Sequence, residues 1–160
     1  MSTMTKPALR LGQFTLAVVV ISGFAASIPG QEQKISARSV PSAVIKAFKS
    51  AYPNATIKGF AREKENGKVF YEIESKDGDV GRDVLYNADG SVAEIEETVA
   101  VGDLPAAIRE SINSKYPNAV ITKAEKTMQG ETVGYEVFAK YGKGRLVFEF
   151  DAKGNLKKAK

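Results

Sequence analysis

One tetrapeptide occurs twice, and its spacing decides what this chain can fold into. Tyr52-Pro53-Asn54-Ala55 returns as Tyr116-Pro117-Asn118-Ala119, 64 positions later. The same offset carries Pro41 onto Pro105, Ile57 onto Ile121, Val69 onto Val133, Tyr71-Glu72 onto Tyr135-Glu136, Gly78 onto Gly142 and Gly90 onto Gly154. A register kept over so many turns without a gap is the mark of a duplicated structural unit. The units are expected over residues 40–99 and 104–160, joined by a short linker at residues 100–103.

Each unit opens with a helical pattern. Val40, Val44, Phe48 and Tyr52 fall four apart, as do Leu104, Ile108, Ile112 and Tyr116, which gives each helix one apolar stripe. Pro41 and Pro105 suit a first turn, where a missing N–H costs nothing, and Asp103 is expected to accept hydrogen bonds from free amides of the second helix. The prolines of the repeated tetrapeptide stop both helices. Stretches of period-two alternation follow, separated by Asn66-Gly67, Asp77-Gly78 and Asp89-Gly90. The fold class is α+β: two tandem α-β-β-β-β units, an antiparallel sheet with helices on one face and an open sheet face on the other.

Composition removes most enzyme classes. The 160 residues include no His and no Cys, so there is no Ser-His-Asp or Cys-His set, no thiolate or imidazole metal site and no disulfide. No cofactor and no catalytic residue is expected. Lys6 and Arg10 precede an uncharged apolar run at residues 14–26, too short for a comfortable permanent span, and residues 1–30 read as a secretory signal peptide. The mature chain is expected in the periplasm or outside the cell, with residues 31–39 as a flexible lead-in. Its charge is uneven: residues 31–103 carry a net −3 and residues 104–160 a net +5. The balance is too small to argue for nucleic acid, but the split is enough to steer a partner.

The order helix, Tyr-Pro-Asn-Ala, strand, then residues 70–79 (FYEIESKDGD) and 83–97 (DVLYNADGSVAEIEE) resembles the PepSY-like family of exported proteins, described as beta-lactamase-inhibitor-like. Both repeats carry the pattern. The resemblance implies a non-enzymatic binding or inhibitory module. Because related units occur in propeptides of secreted metallopeptidases, it also points to an extracytoplasmic protein such as a peptidase as partner. The inhibitor that lends the family its name is disulfide-bonded and rich in exposed aromatics, whereas this chain has neither Cys nor Trp, which argues against beta-lactamase as the target.

Alternation nominates the contact residues. With Ile57, Val69, Tyr71, Ile73 and Val84 turned to the helix, Phe60, Phe70 and Leu85 are expected on the open face, with Lys58 and Glu72 beside them as orienting charges. The corresponding positions of the second unit are Ala124, Gly134 and Glu149, so the two open faces differ. A second reading is an envelope small-ligand or cation sensor, using the acidic first unit; within it Glu94, Glu96 and Glu97 with Asp103 form an acidic stretch of the kind that attracts Ca²⁺ weakly, which alternate exposed strand positions explain as well. Self-association is a third. Asn87-Ala88-Asp89-Gly90 is a hairpin turn, since the acid that closes a calcium loop is missing downstream, and no metal site is assigned. The repeated Glu72 and Glu136 are outward strand positions of a duplicated unit, not a catalytic pair.

Overall fold

The computed structural model describes residues 32–65 and 67–160; the expected signal peptide at residues 1–30 lies outside the described residues. Helices α1 (Ser42–Ala51) and α2 (Ala106–Lys115) stand 64 positions apart. Pro41 and Pro105 are the N-cap residues of the two helices, neither with a side-chain cap. Each carbonyl accepts the first helical bond, from Val44 N and Ile108 N, at 3.0 Å. Asp103 therefore does not cap α2, contrary to expectation. The proline takes the cap position itself, and Asp103 ends a 3-10 turn (Val101–Asp103) with its N–H donating to Ala100 O at 2.9 Å.

The strands form one antiparallel sheet in chain order: β1 (Gln33–Lys34), β2 (Thr56–Glu65), β3 (Lys68–Asp77), β4 (Val80–Tyr86), β5 (Val92–Thr98), β6 (Val120–Gln129), β7 (Thr132–Tyr141), β8 (Gly144–Asp151) and β9 (Leu156–Ala159). Part of the expected loose lead-in is ordered, since β1 pairs with β2 and Arg62 Nη2 donates to Gln33 Oε1 at 2.9 Å. The two halves share a single sheet because β5 pairs on its far side with β6, from Ile95↔Met128 to Thr98↔Glu125.

Both helices cover the same face. Val44 and Phe48 of α1 pack with Ile73, Val84 and Tyr86; Ile108 and Ile112 of α2 pack with Val137, Phe148 and Phe150. Full burial of such side chains stabilises by about 1.5–3 kcal/mol each, so these two clusters carry the fold. β2 and β6 each contain a bulge, between Ile57 and Gly59 and between Ile121 and Lys123. A bulge inserts one residue and reverses the facing of everything beyond it. Among the described residues no helix is long and apolar enough to cross a membrane.

Candidate binding face

The face away from the helices is lined by carboxylates in register. Glu74, Asp83 and Glu96 stand opposite one another on β3, β4 and β5. Glu125, Glu136 and Glu149 do the same on β6, β7 and β8. Six consecutive strands thus each contribute one acid, and the run crosses the junction between the halves. Like charges placed directly opposite destabilise a sheet by roughly 0.2–1 kcal/mol per pair.

The two rows meet at Asp83, Glu96 and Glu125, whose carboxylate oxygens lie within 4.8 Å of one another. Glu125 is 3% exposed and is held by Lys123, Nζ to Oε1 2.7 Å. Burial raises the affinity of Glu96 for its proton, and Glu125, Glu94, Glu136 and Asp83 add repulsion, so its pKa is pushed up to about 8. Asp83 is raised by burial and then by Glu125, with Lys123 opposing. Glu136 is raised by burial, then by Glu125 and Glu149. Three carboxylate oxygens of this kind are hard oxygen donors of the type that Ca²⁺ or Mg²⁺ takes.

The expected contact residues divide between the faces. Glu72 is on the open face, in a row with Ala61, Leu85 and Glu94. Burial pushes its pKa up to about 8, and Glu63, Asp83, Glu32 and Glu74 add to the shift. Leu85 is half-buried beside it, and Phe70, also half-buried, lies opposite Glu63. Lys58 is exposed and is the bulge residue itself, skipped in the pairing of β2 with β3. Phe60 is a correction. The bulge at Lys58 turns it to the helix side, where it lies opposite Ile73 and packs against the core of the first half. Its counterpart Ala124 is buried on the helix side for the same reason.

The acidic stretch is divided too. Glu94 and Glu96 face the open side, whereas Glu97 faces the helices and pairs with Arg82, Nε to Oε1 2.6 Å. Arg82 in turn lies over the ring of Tyr52, 4.2 Å from its centroid. Asp83, Glu125 and Glu149 were missed as a set with Glu96. They are far apart in sequence, and only strand register brings them together.

The family model for PepSY-like, beta-lactamase-inhibitor-like proteins matches residues 26–94 and 70–158, and the chain belongs to this family. No curated protein matches it. Among solved structures, a protein of Bacteroides eggerthii described as periplasmic is similar at 16% identity, covering 76% of this chain and 88% of that one, with a TM-score of 0.64. A DUF2874 family protein of Bacteroides ovatus is similar at 17% identity, covering 76% and 87%, with a TM-score of 0.61. A BLIP-like protein of Bacteroides fragilis shares 25% identity over 75% of this chain and 85% of its own, with a TM-score of 0.59.

Proposed function

We propose that the chain, built of two duplicated helix-plus-sheet units, is an exported, non-catalytic binding protein whose open sheet face takes the positively charged surface of another extracytoplasmic protein. The observation that carries this reading is the run of acids Glu74, Asp83, Glu96, Glu125, Glu136 and Glu149, one from each of six adjacent strands. Such a run costs stability in the isolated protein, and a cationic partner offsets that cost on binding. Phe70 and Leu85 flank the first row as half-buried apolar contacts, with Glu72 and Lys58 as nearby charges. The family description as beta-lactamase-inhibitor-like supports an inhibitory role, and the occurrence of related units in propeptides of secreted metallopeptidases makes a peptidase or comparable envelope protein the partner we propose, restrained by steric occlusion. The resemblance to a BLIP-like protein and to one described as periplasmic supports the setting.

Capture from an envelope fraction tests it, using the tagged chain and a Glu74→Gln, Glu96→Gln, Glu149→Gln variant. An extracytoplasmic protein with a basic surface retained by the wild type and lost from the variant supports the reading; identical retention by both overturns the face. The closeness of Asp83, Glu96 and Glu125 favours a second reading, in which a divalent cation occupies that point. Calorimetric titration with Ca²⁺ decides it: saturable heat abolished by Asp83→Asn supports the cation, and no heat at millimolar Ca²⁺ removes it.

A further inference from the structure

At the end of the sheet where α2 terminates, the second half carries a surface that the first half lacks. The β7–β8 turn repeats the geometry of the β3–β4 turn, with Gly142 at φ 58° and Gly78 at φ 59°. The side chains around it do not repeat. At the offset of 64, Asp77 becomes Tyr141, Asp79 becomes Lys143, Gly81 becomes Arg145, Ala51 becomes Lys115 and Thr56 becomes Val120, while Lys76 stays basic as Lys140. The same backbone is thus made with either charge, so the fold does not demand the basic version.

Three properties of this end belong together. Lys115, Lys140, Lys143 and Arg145 are all exposed, and none of them takes part in the described ion pairs Arg82–Glu97, Lys123–Glu125 and Lys160–Glu149. No acid occurs in residues 111–124 or 137–148, the segments that build it. Two large apolar side chains are exposed among the cations: Val120, opposite Lys140, at 63%, and Tyr141 at 42%. The Tyr141 ring packs edge-on against Tyr116 with centroids 5.3 Å apart, so it is held in place while exposed.

We propose that this hairpin end docks on an anionic lipid bilayer, with the four cations on headgroup phosphates and Tyr141 and Val120 in the interfacial layer. Basic residues beside interfacial aromatic and aliphatic ones are the composition that peripheral membrane contacts use. The surface is built by six side chains, Lys115, Val120, Lys140, Tyr141, Lys143 and Arg145, against about 20–30 residues a side in a standard protein interface, whereas a fluid headgroup layer conforms to a small contact. The carboxylate rows are repelled by the same lipid, so only the acid-free end of the open face, with Val120, Lys140 and Arg145, takes part in the contact.

Co-sedimentation with vesicles tests this, using residues 31–160. The apolar run at 14–26 would bind lipid by itself, and both cores lie within the retained part. Vesicles containing phosphatidylglycerol are compared with pure phosphatidylcholine, for wild type, a Lys143→Glu, Arg145→Glu variant and a Lys157→Gln, Lys158→Gln variant, each checked for an unchanged melt. The expected result is binding to the anionic vesicles only, weakened by high salt, reduced at least about tenfold by the hairpin changes and little altered by the tail changes. No binding to anionic vesicles, equal binding to both lipids, or undiminished binding by the hairpin variant overturns the proposal. Because the hairpin variant leaves every open-face carboxylate in place, its result is independent of partner capture.

Discussion

Asp83 and Glu96 stand directly opposite each other on β4 and β5, and Glu125 of β6 brings a third carboxylate within 4.8 Å of both. Burial and the repulsion of its neighbours favour the protonated form of Glu96 at this point. Glu72 and Glu96 titrate near 8 in the fold against an ordinary 4.5, so between these values the folded state binds more protons than the unfolded chain. Stability therefore falls as pH rises through that window.

The first prediction is a melting temperature that is highest near pH 5 and declines toward pH 9. On the acid side, Asp89 and Asp151 are held below the usual carboxylate range by hydrogen bonds from Ser91 and Asn155, so their contribution is lost as pH falls below that range. Glu96→Gln should raise the melting temperature at pH 8.5 by about 2–4 °C, the equivalent of about 1 kcal/mol for a chain of this size, and flatten the decline. Differential scanning calorimetry across pH checks it, and a melting temperature that climbs steadily from pH 5 to 9 would contradict it.

Much of the fold was legible because its signals are local. The offset of 64 placed both helices, and alternation placed Ile73 and Val84 on the core side and Glu72 and Leu85 on the other. Phe60 was misplaced because a bulge leaves no mark in a period-two pattern. Gly59 and Lys123 follow their bulges at equivalent sites but share no chemistry. The carboxylate rows were invisible for a different reason. Glu96 and Glu125 are 29 positions apart, and their closeness follows from β5 pairing with β6, a junction that no repeat arithmetic describes.

Beneath α1 the first half carries a polar set where the second is apolar: Ser75, Arg82 and Tyr86 correspond to Ala139, Leu146 and Phe150. The Arg82 and Glu97 side chains are 12% and 28% exposed, so removing one partner strands the other in a poor environment. Glu97→Gln should cost about 2 kcal/mol, while the double change Arg82→Leu, Glu97→Leu should be close to neutral. Urea denaturation of both variants checks the second prediction. A double variant less stable than Glu97→Gln would mean that the cation over Tyr52 matters more than the ion pair.

Tyr86 is fully buried, and its hydroxyl has no hydrogen-bond partner among the described residues. Burial pushes its pKa up to about 12, so it stays neutral at every ordinary pH. A buried, unpaired hydroxyl costs about 1–3 kcal/mol. The third prediction is that Tyr86→Phe, the residue found at 150, leaves stability unchanged or raises it by up to about 1 kcal/mol. A loss larger than that, read from the denaturation midpoint, would show that the hydroxyl is bonded.

Gly90 and Gly154 occupy the same turn in the two halves, at φ 87° and 84°, and each touches its helix. The contacts differ in kind. A Cβ on Gly90 would lie 2.8 Å from the carbonyl oxygen of Ala43, whereas one on Gly154 would lie 3.0 Å from the methyl of Ala107. The first is a closer clash, with the carbonyl group of Ala43 at 2.8 and 3.0 Å, and yields only if α1 lifts from the sheet; the second meets a methyl fixed to the α2 backbone at 3.0 Å and needs a smaller displacement of α2. Both substitutions also bear the strain of a positive φ. Gly90→Ala is therefore expected to cost about 2–4 kcal/mol and Gly154→Ala about 1–2 kcal/mol. Hydrogen exchange would locate the first loss in α1 and the second in α2. If Gly154→Ala proves the costlier, the α1 contact is softer than its geometry implies and the first half is not held by the turn beneath its helix.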